Sequence, residues 1–179
     1  MFRLSRLEDA QDVPHVHANT FGEQAAPSRL IAAPSAGHFS LLFQLAEDLP
    51  GPFAALWVLR VSRGRADQGR YQSPFLALTE LLTALEPFQS FLSQDGRSQL
   101  WLHSSEARAT LVWDQHDLLY LYGPLGAFRT ALVRAGLREA EPVVIDFHHG
   151  HHYHPEFDDA EESMASLFEW HVTPLRPDD

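Results

Sequence analysis

The chain has 179 residues, 45% of them hydrophobic and 11% aromatic, and carries a formal charge of −11 from 24 acidic and 13 basic side chains. This composition excludes a disordered chain, suffices to bury about two-thirds of the unfolded surface in one core, and repels phosphate backbones, so nucleic acid is not an expected partner. There is no cysteine, which excludes disulfides, thiolate catalysis and cysteine-based zinc sites; with no apolar leader in Met1–Asp9 and no run near the ~20 apolar residues that span a bilayer, the expected setting is the cytoplasm.

All 13 basic residues are arginines, which removes Schiff-base chemistry and a P-loop lysine from consideration. A single Asn (Asn19) and two Ile among many Ala, Arg, Leu and Pro fit a GC-rich bacterial genome.

Residues 1–34 are rich in turn formers and are expected to be irregular, apart from a short strand at Phe2–Leu4. Phe39, Leu42, Phe43 and Ala46 repeat at helical spacing, which predicts a helix over 36–49 capped by Ser35 and ended by Pro50-Gly51-Pro52. The apolar run Phe53–Val61 reads as a strand buried on both faces. Leu and Phe at helical spacing from Phe75 to Gln94 predict a helix broken at Pro87 and closed by Asp95-Gly96. Leu100–His103, Ala109–Trp113 and Leu118–Tyr122 read as a three-strand meander, the last two joined by the hairpin loop Asp114-Gln115-His116-Asp117. A helix follows Gly123-Pro124, carrying Leu125, Phe128 and Leu132, with Gly136 as its C-cap. Val143–Phe147 is the next expected strand, Pro155 opens a last helix to about Phe168, and Trp170–Val172 precedes an acidic tail at 174–179.

Helices thus separate a meander, without a regular βαβ alternation. The expected fold is a single α+β domain over 1–179, a two-layer sandwich with an antiparallel sheet covered by helices.

Five histidines fall within His148–His154, inside a His-rich loop at 148–156, and Glu156, Asp158, Asp159, Glu161 and Glu162 follow. Neutral imidazole is the commonest metal ligand. If the strand continues from Val143, His149 and His151 share one face while Asp146, His148 and His152 share the other. The candidate ligands for a divalent transition metal (Zn, Fe, Mn or Ni) are therefore Asp146, His148, His152, His154 and Glu156, with His15, His17 and His171 more distant. The alternative is a solvated loop whose acids meet the positive end of a helix macrodipole. A pH-sensitive loop is a third reading, since crowded imidazolium ions repel one another.

His15-Val16-His17 is similar to the H-x-H metal motif of amidohydrolases, but the chain is too short for their barrel and lacks their later His and Asp pattern. His152-Tyr153-His154 followed by acids is similar to a cupin motif, without the glycine-spaced strands. Neither family is assigned. Arg63, Arg65 and Arg70 form the one local basic cluster, a candidate anion or partner contact beside the plainer reading of a solvated loop. Trp57, Trp101, Trp113, Trp170, Tyr120 and Tyr122 read as core unless several prove exposed together.

No complete catalytic constellation can be assembled. The expected function is therefore that of a non-catalytic, acidic interaction protein covering a basic protein partner, in the manner of many immunity or inhibitor proteins. The alternative is a metal-binding protein or metal-dependent hydrolase using His148–His154, with Glu156 as the base.

Overall fold

Side chains alternate along the central strands, and that alternation sorts the molecule into layers. The structure is a computed structural model that describes residues 1–177. Its strands are β1 (Leu4–Glu8), β2 (Gln11–Pro14), β3 (Thr20–Ala25), β4 (Ser28–Ala33), β5 (Phe53–Leu59), β6 (Gly69–Gln72), β7 (Ser98–Ser104), β8 (Ala109–Trp113), β9 (Leu119–Tyr122), β10 (Arg138–Glu139), β11 (His149–His151) and β12 (His171–Thr173). The helices are α1 (His38–Glu47), α2 (Leu78–Leu85), α3 (Gln89–Gln94), α4 (Leu125–Arg134) and α5 (Asp158–Ala165).

Nine strands form one sheet in the order β10-β3-β4-β9-β8-β7-β5-β6-β12. It is antiparallel except where β10 runs parallel to β3. On one face Leu30, Ala32, Phe53, Ala55, Trp57, Leu59, Leu100, Leu102, Leu111, Trp113, Leu119 and Leu121 point into a single core. All five helices close that face, through residues such as Phe39 and Leu42 of α1, Leu81 of α2, Phe91 of α3, Phe128 of α4 and Met164 of α5. The α+β architecture is therefore the expected one, as is β5, buried on both faces. Pro87 does break the expected helix, as a 3-10 turn at Glu86–Phe88 between α2 and α3.

Three expectations are corrected. Residues 1–34, expected to be irregular, carry four strands. The β1–β2 hairpin turns at Asp9 and Ala10, both at positive φ (48° and 62°), where Asn-Gly or Asp-Gly would have been the legible signal. Gly37 in the left-handed conformation, and not Ser35, precedes α1. Val143–Phe147 is no strand: Val143 and Ile145 pack, partly buried, with Ile31, Ala33, Leu118 and Tyr120 over the outer face of the sheet while Val144 is exposed, and the segment joins no ladder. The acidic tail at 174–179 is described only to residue 177, and its Asp178 and Asp179 lie outside the described residues.

A second sheet, β11-β1-β2, brings the histidine run to the N-terminus. Leu4 faces His151, Ser5 faces Gly150 and Arg6 faces His149 across an antiparallel ladder. The backbone continues this docking beyond the ladder: His152 N–H donates to the Arg3 carbonyl at 3.0 Å and Gly96 N–H donates to the His152 carbonyl at 2.9 Å. The approach at Gly96 is close, since a Cβ there would stand 2.8 Å from the Arg3 oxygen and 3.2 Å from the His151 Cβ.

Candidate metal centre

Two elements remote in sequence build the candidate site. On β11 the pleat sends His149 and His151 to one face, and Gly150 between them lies over Ser5, where a Cβ would come within 3.1 Å of Ser5 Oγ. The third imidazole comes from the β8–β9 hairpin. Its tip is clamped by Asp114, whose Oδ1 accepts the backbone N–H groups of His116 and Leu118, both at 2.9 Å, while Oδ2 lies 2.8 Å from His116 Nδ1. This local capping by an Asp side chain is the chemistry that turns favour.

Arg3 ties hairpin and strand together. It is 2% exposed, and its guanidinium donates to the carbonyls of Leu92 (2.6 Å), Ser98 (2.8 Å) and Asp114 (3.2 Å) while lying 5.0 Å from the Trp113 ring centroid. Because Arg3 immediately precedes β1, the buried cation fixes the hairpin against the strand on which His149 and His151 are registered. His17 adds a further restraint, with Nε2 2.8 Å from the His116 carbonyl and Nδ1 3.2 Å from His15 Nε2.

The result is a compact group of three imidazoles. One ligand atom each from His116, His149 and His151 lies within 4.8 Å of the others, and this is the one such grouping among the described residues. The rings stand 5.0, 5.1 and 5.3 Å apart, inclined at 58–81° to one another, so none stacks flat upon its neighbour. Tetrahedral zinc with Zn–N bonds of 2.0–2.1 Å separates its nitrogens by about 3.3 Å, within reach of modest side-chain rotation.

The hydrogen-bonded nitrogens are as telling as the free ones. His116 directs Nδ1 to a carboxylate and His149 directs Nδ1 to the Phe147 carbonyl at 3.0 Å, the outer contacts that orient metal-bound imidazoles. His151 Nδ1 is buried and has no hydrogen-bond partner among the described residues. Burial first, and then the charges of His116, His149, Arg3 and Arg60, push the His151 pKa down to about 4. The ring is therefore neutral at physiological pH, as a ligand must be.

The expected ligands lie elsewhere, and His116, His149 and His151 were not among them. Asp146 and His148 are exposed on the segment leading into β11, and the His148 carbonyl accepts from Leu7 N–H. His152 packs edge-on against Phe2, with ring centroids 4.6 Å apart. His154 is a structural residue: its Nε2 lies 3.0 Å from the Phe2 carbonyl and its N–H donates to Asp95 at 2.6 Å. Glu156 is exposed on the 3-10 turn ahead of α5, and His171 lies on β12 at the far edge of the large sheet. None of these belongs to the imidazole grouping.

Four of the five acids after the histidines, all but Glu156, have arginine partners. Arg97 is fully buried, and burial opposes its charge, but Asp95, Glu161 and Asp158 surround it with carboxylate oxygens at 2.5–3.2 Å and hold its pKa above the ordinary value. Glu161, also fully buried, further accepts from Ser62 Oγ and from the N–H groups of Arg63, Arg65 and Ala66. The expected basic cluster is divided accordingly. Arg63 pairs with Asp158 at 2.8 Å, Arg65 lies 3.7–3.8 Å from Glu162 and Asp159, and Arg70 is 7% exposed with its guanidinium over Trp101. Arg63 and Arg65 thus hold the loop to α5.

His116 was legible as part of a hairpin loop but not as a ligand. The usable signal is Asp-x-His at a hairpin tip, where the carboxylate can cap the turn and orient the ring together. Comparison with protein-family models, curated protein sequences and solved structures finds no match to this chain.

Proposed function

We propose that this protein binds a divalent transition metal through His116, His149 and His151, with Asp114 orienting His116. The observation that carries the reading is the convergence of three imidazole nitrogens within 4.8 Å from a hairpin tip and a separately docked strand. Imidazole ligands suit zinc, iron and nickel better than magnesium or calcium. Three histidine ligands leave a fourth position for water, which zinc would acidify to a pKa of about 7, so metal-assisted hydrolysis is the reaction class this ligand set serves. The chain's own part is to hold three imidazoles in place and to keep His116 oriented from behind.

The test is elemental analysis of untagged protein purified without an immobilised-metal column. One equivalent of zinc or iron per chain, lost in His149→Ala and His116→Ala while circular dichroism is unchanged, is the expected result. Metal-free wild-type protein that takes up no zinc on titration would refute the reading.

A second reading rests on the charge of −11. In it, the chain is a cytoplasmic bacterial protein whose acidic surface covers a basic protein partner, with fast and salt-sensitive association. Recovery of a basic partner at low salt and its release at high salt supports this reading; finding none at low salt removes it. Among the described residues, no helix is long and apolar enough to cross a membrane.

A further inference from the structure

His116 belongs to a second feature besides the imidazole group. The outer face of the large sheet carries a groove of about 610 Å³, walled by Trp101, Tyr120 and Tyr122 and by Arg29 and Arg60, with His116 on its rim. Strand alternation puts these aromatic residues together, because Trp101 faces Val112, Val112 faces Tyr120, and every one of them points away from the helix-covered core. All three aromatic residues are half-buried, so their rings remain accessible from the groove. The volume falls within the range of small-molecule sites.

The charge of this groove is opposite to that of the molecule. Arg29 lies over Tyr120 and Tyr122, at 4.4 and 5.6 Å, and is held there by hydrogen bonds to Gln24 Oε1 at 2.6 Å and Tyr122 Oη at 2.5 Å. Arg70 is stacked on Trp101 at 5.0 Å. Arg60 borders both this groove and a neighbouring cavity of about 320 Å³ that His151 lines. Its guanidinium has no hydrogen-bond or ion-pair partner among the described residues, and its charge is felt at His151 and Tyr153. The single carboxylate on the groove wall, Asp114, is 7% exposed and already accepts from His116 and Leu118. In a chain with a net charge of −11, this groove presents two guanidinium groups and, among the described residues, no free acid.

We propose that the groove binds a small phosphomonoester carrying a planar ring. The ring lies against Trp101 and Tyr120, and the phosphate sits at the Arg60 end beside His116. Aromatic walls select a flat π-surface. Guanidinium forks match the oxygens of a phosphate dianion, and a divalent ion on the three histidines would add to the attraction. The placement of the phosphate rests on reading His116, His149 and His151 as a metal centre; the aromatic and arginine contacts do not. The proposal also gives the metal-assisted hydrolysis a substrate class.

Calorimetric titration of the full chain with phenyl phosphate tests it, in zinc-loaded and zinc-free protein, with inorganic phosphate and phenol as single-part probes. Phenyl phosphate is expected to bind zinc-loaded protein at least about tenfold more tightly than either fragment, and Arg60→Ala to weaken it by about tenfold while zinc stoichiometry stays at one. Trp101→Leu is expected to weaken phenyl phosphate and leave phosphate unchanged. Arg60→Ala removes a side chain with no partner among the described residues, so its fold is expected to persist, and near-ultraviolet circular dichroism checks this. Equal affinity for phenyl phosphate and inorganic phosphate, or no effect of Arg60→Ala, overturns the proposal and leaves the metal centre standing. A protein that binds no zinc yet binds phenyl phosphate through Arg60 refutes the metal centre and supports the groove.

Discussion

Two clusters of ionisable side chains lie on either side of the segment that runs from β11 into α5, and they differ in one respect. Around Arg97, each carboxylate oxygen of Asp95 and Glu161 accepts from at least one donor, and nothing in the cluster is exposed except part of Asp158. Around His116, His149 and His151 two ring nitrogens are engaged from outside, while His151 Nδ1 is buried without a partner among the described residues. The first cluster is complete as it stands; the second lacks an acceptor of its lone pairs. Buried charges persist when they are paired and hydrogen-bonded, whereas an unsatisfied buried group calls for an explanation such as an ion. The same seven-residue run feeds both, since His149 and His151 serve the open cluster while the His154 backbone serves the closed one.

That contrast can be broken experimentally. The largest effect is expected from the closed cluster: Arg97→Ala leaves Asp95 and Glu161 buried and uncompensated, and should cost about 3–5 kcal/mol in denaturant unfolding. A loss below about 1 kcal/mol would show that the cluster does not anchor α5 to the sheet. Next is Gly96→Ala, whose Cβ would meet the Arg3 carbonyl and the His151 side chain; a cost of about 1–3 kcal/mol is expected, with weakened zinc uptake because β11 must shift. Unaltered zinc affinity would separate the docking of β11 from the site.

Asp114→Asn keeps the shape of the hairpin cap but weakens the hold on His116 Nδ1, and about 10–100-fold lower metal affinity is expected. Acidification gives a smaller and signed effect. His151 has a folded-state pKa of about 4, below the ordinary 6.5, so between these values the unfolded chain binds more protons than the native one. Stability of the metal-free protein should therefore fall as pH drops from about 6.5 towards 4, and His151→Gln should flatten that slope. The smallest effect belongs to Arg63→Ala, a partly exposed pair with Asp158, expected at under about 1 kcal/mol with no change in metal binding.

Local signals in the sequence were legible because local physics produces them. Apolar alternation marks β7, β8 and β9, helical spacing marks α1, and Pro87 divides α2 from α3. For the site, the histidine run was legible as the place to look, and the ligand set was not. His149 and His151 on a common face follow from the pleat alone, but the expected ligands Asp146, His148, His152, His154 and Glu156 include neither of them. The actual third imidazole, His116, arrives by a pairing of Leu4 with His151 and a buried Arg3 that spans from β1 to the hairpin. An arginine near an N-terminus ordinarily reads as surface, and a β1–β11 ladder closes a loop of more than a hundred residues, so neither leaves a periodic trace. The acids of α5 were only partly legible for the same reason. Their partners, Arg63, Arg65 and Arg97, are distant in sequence, so only the helix macrodipole was legible as a reason for the acids.

The most direct measurement is X-ray absorption at the zinc edge of the reconstituted wild-type protein beside His116→Ala. The account requires three imidazole nitrogens at about 2.0–2.1 Å and one further light-atom ligand in the wild type, with two imidazoles in the variant. A wild-type spectrum with oxygen ligands only, or one unchanged by His116→Ala, would contradict it.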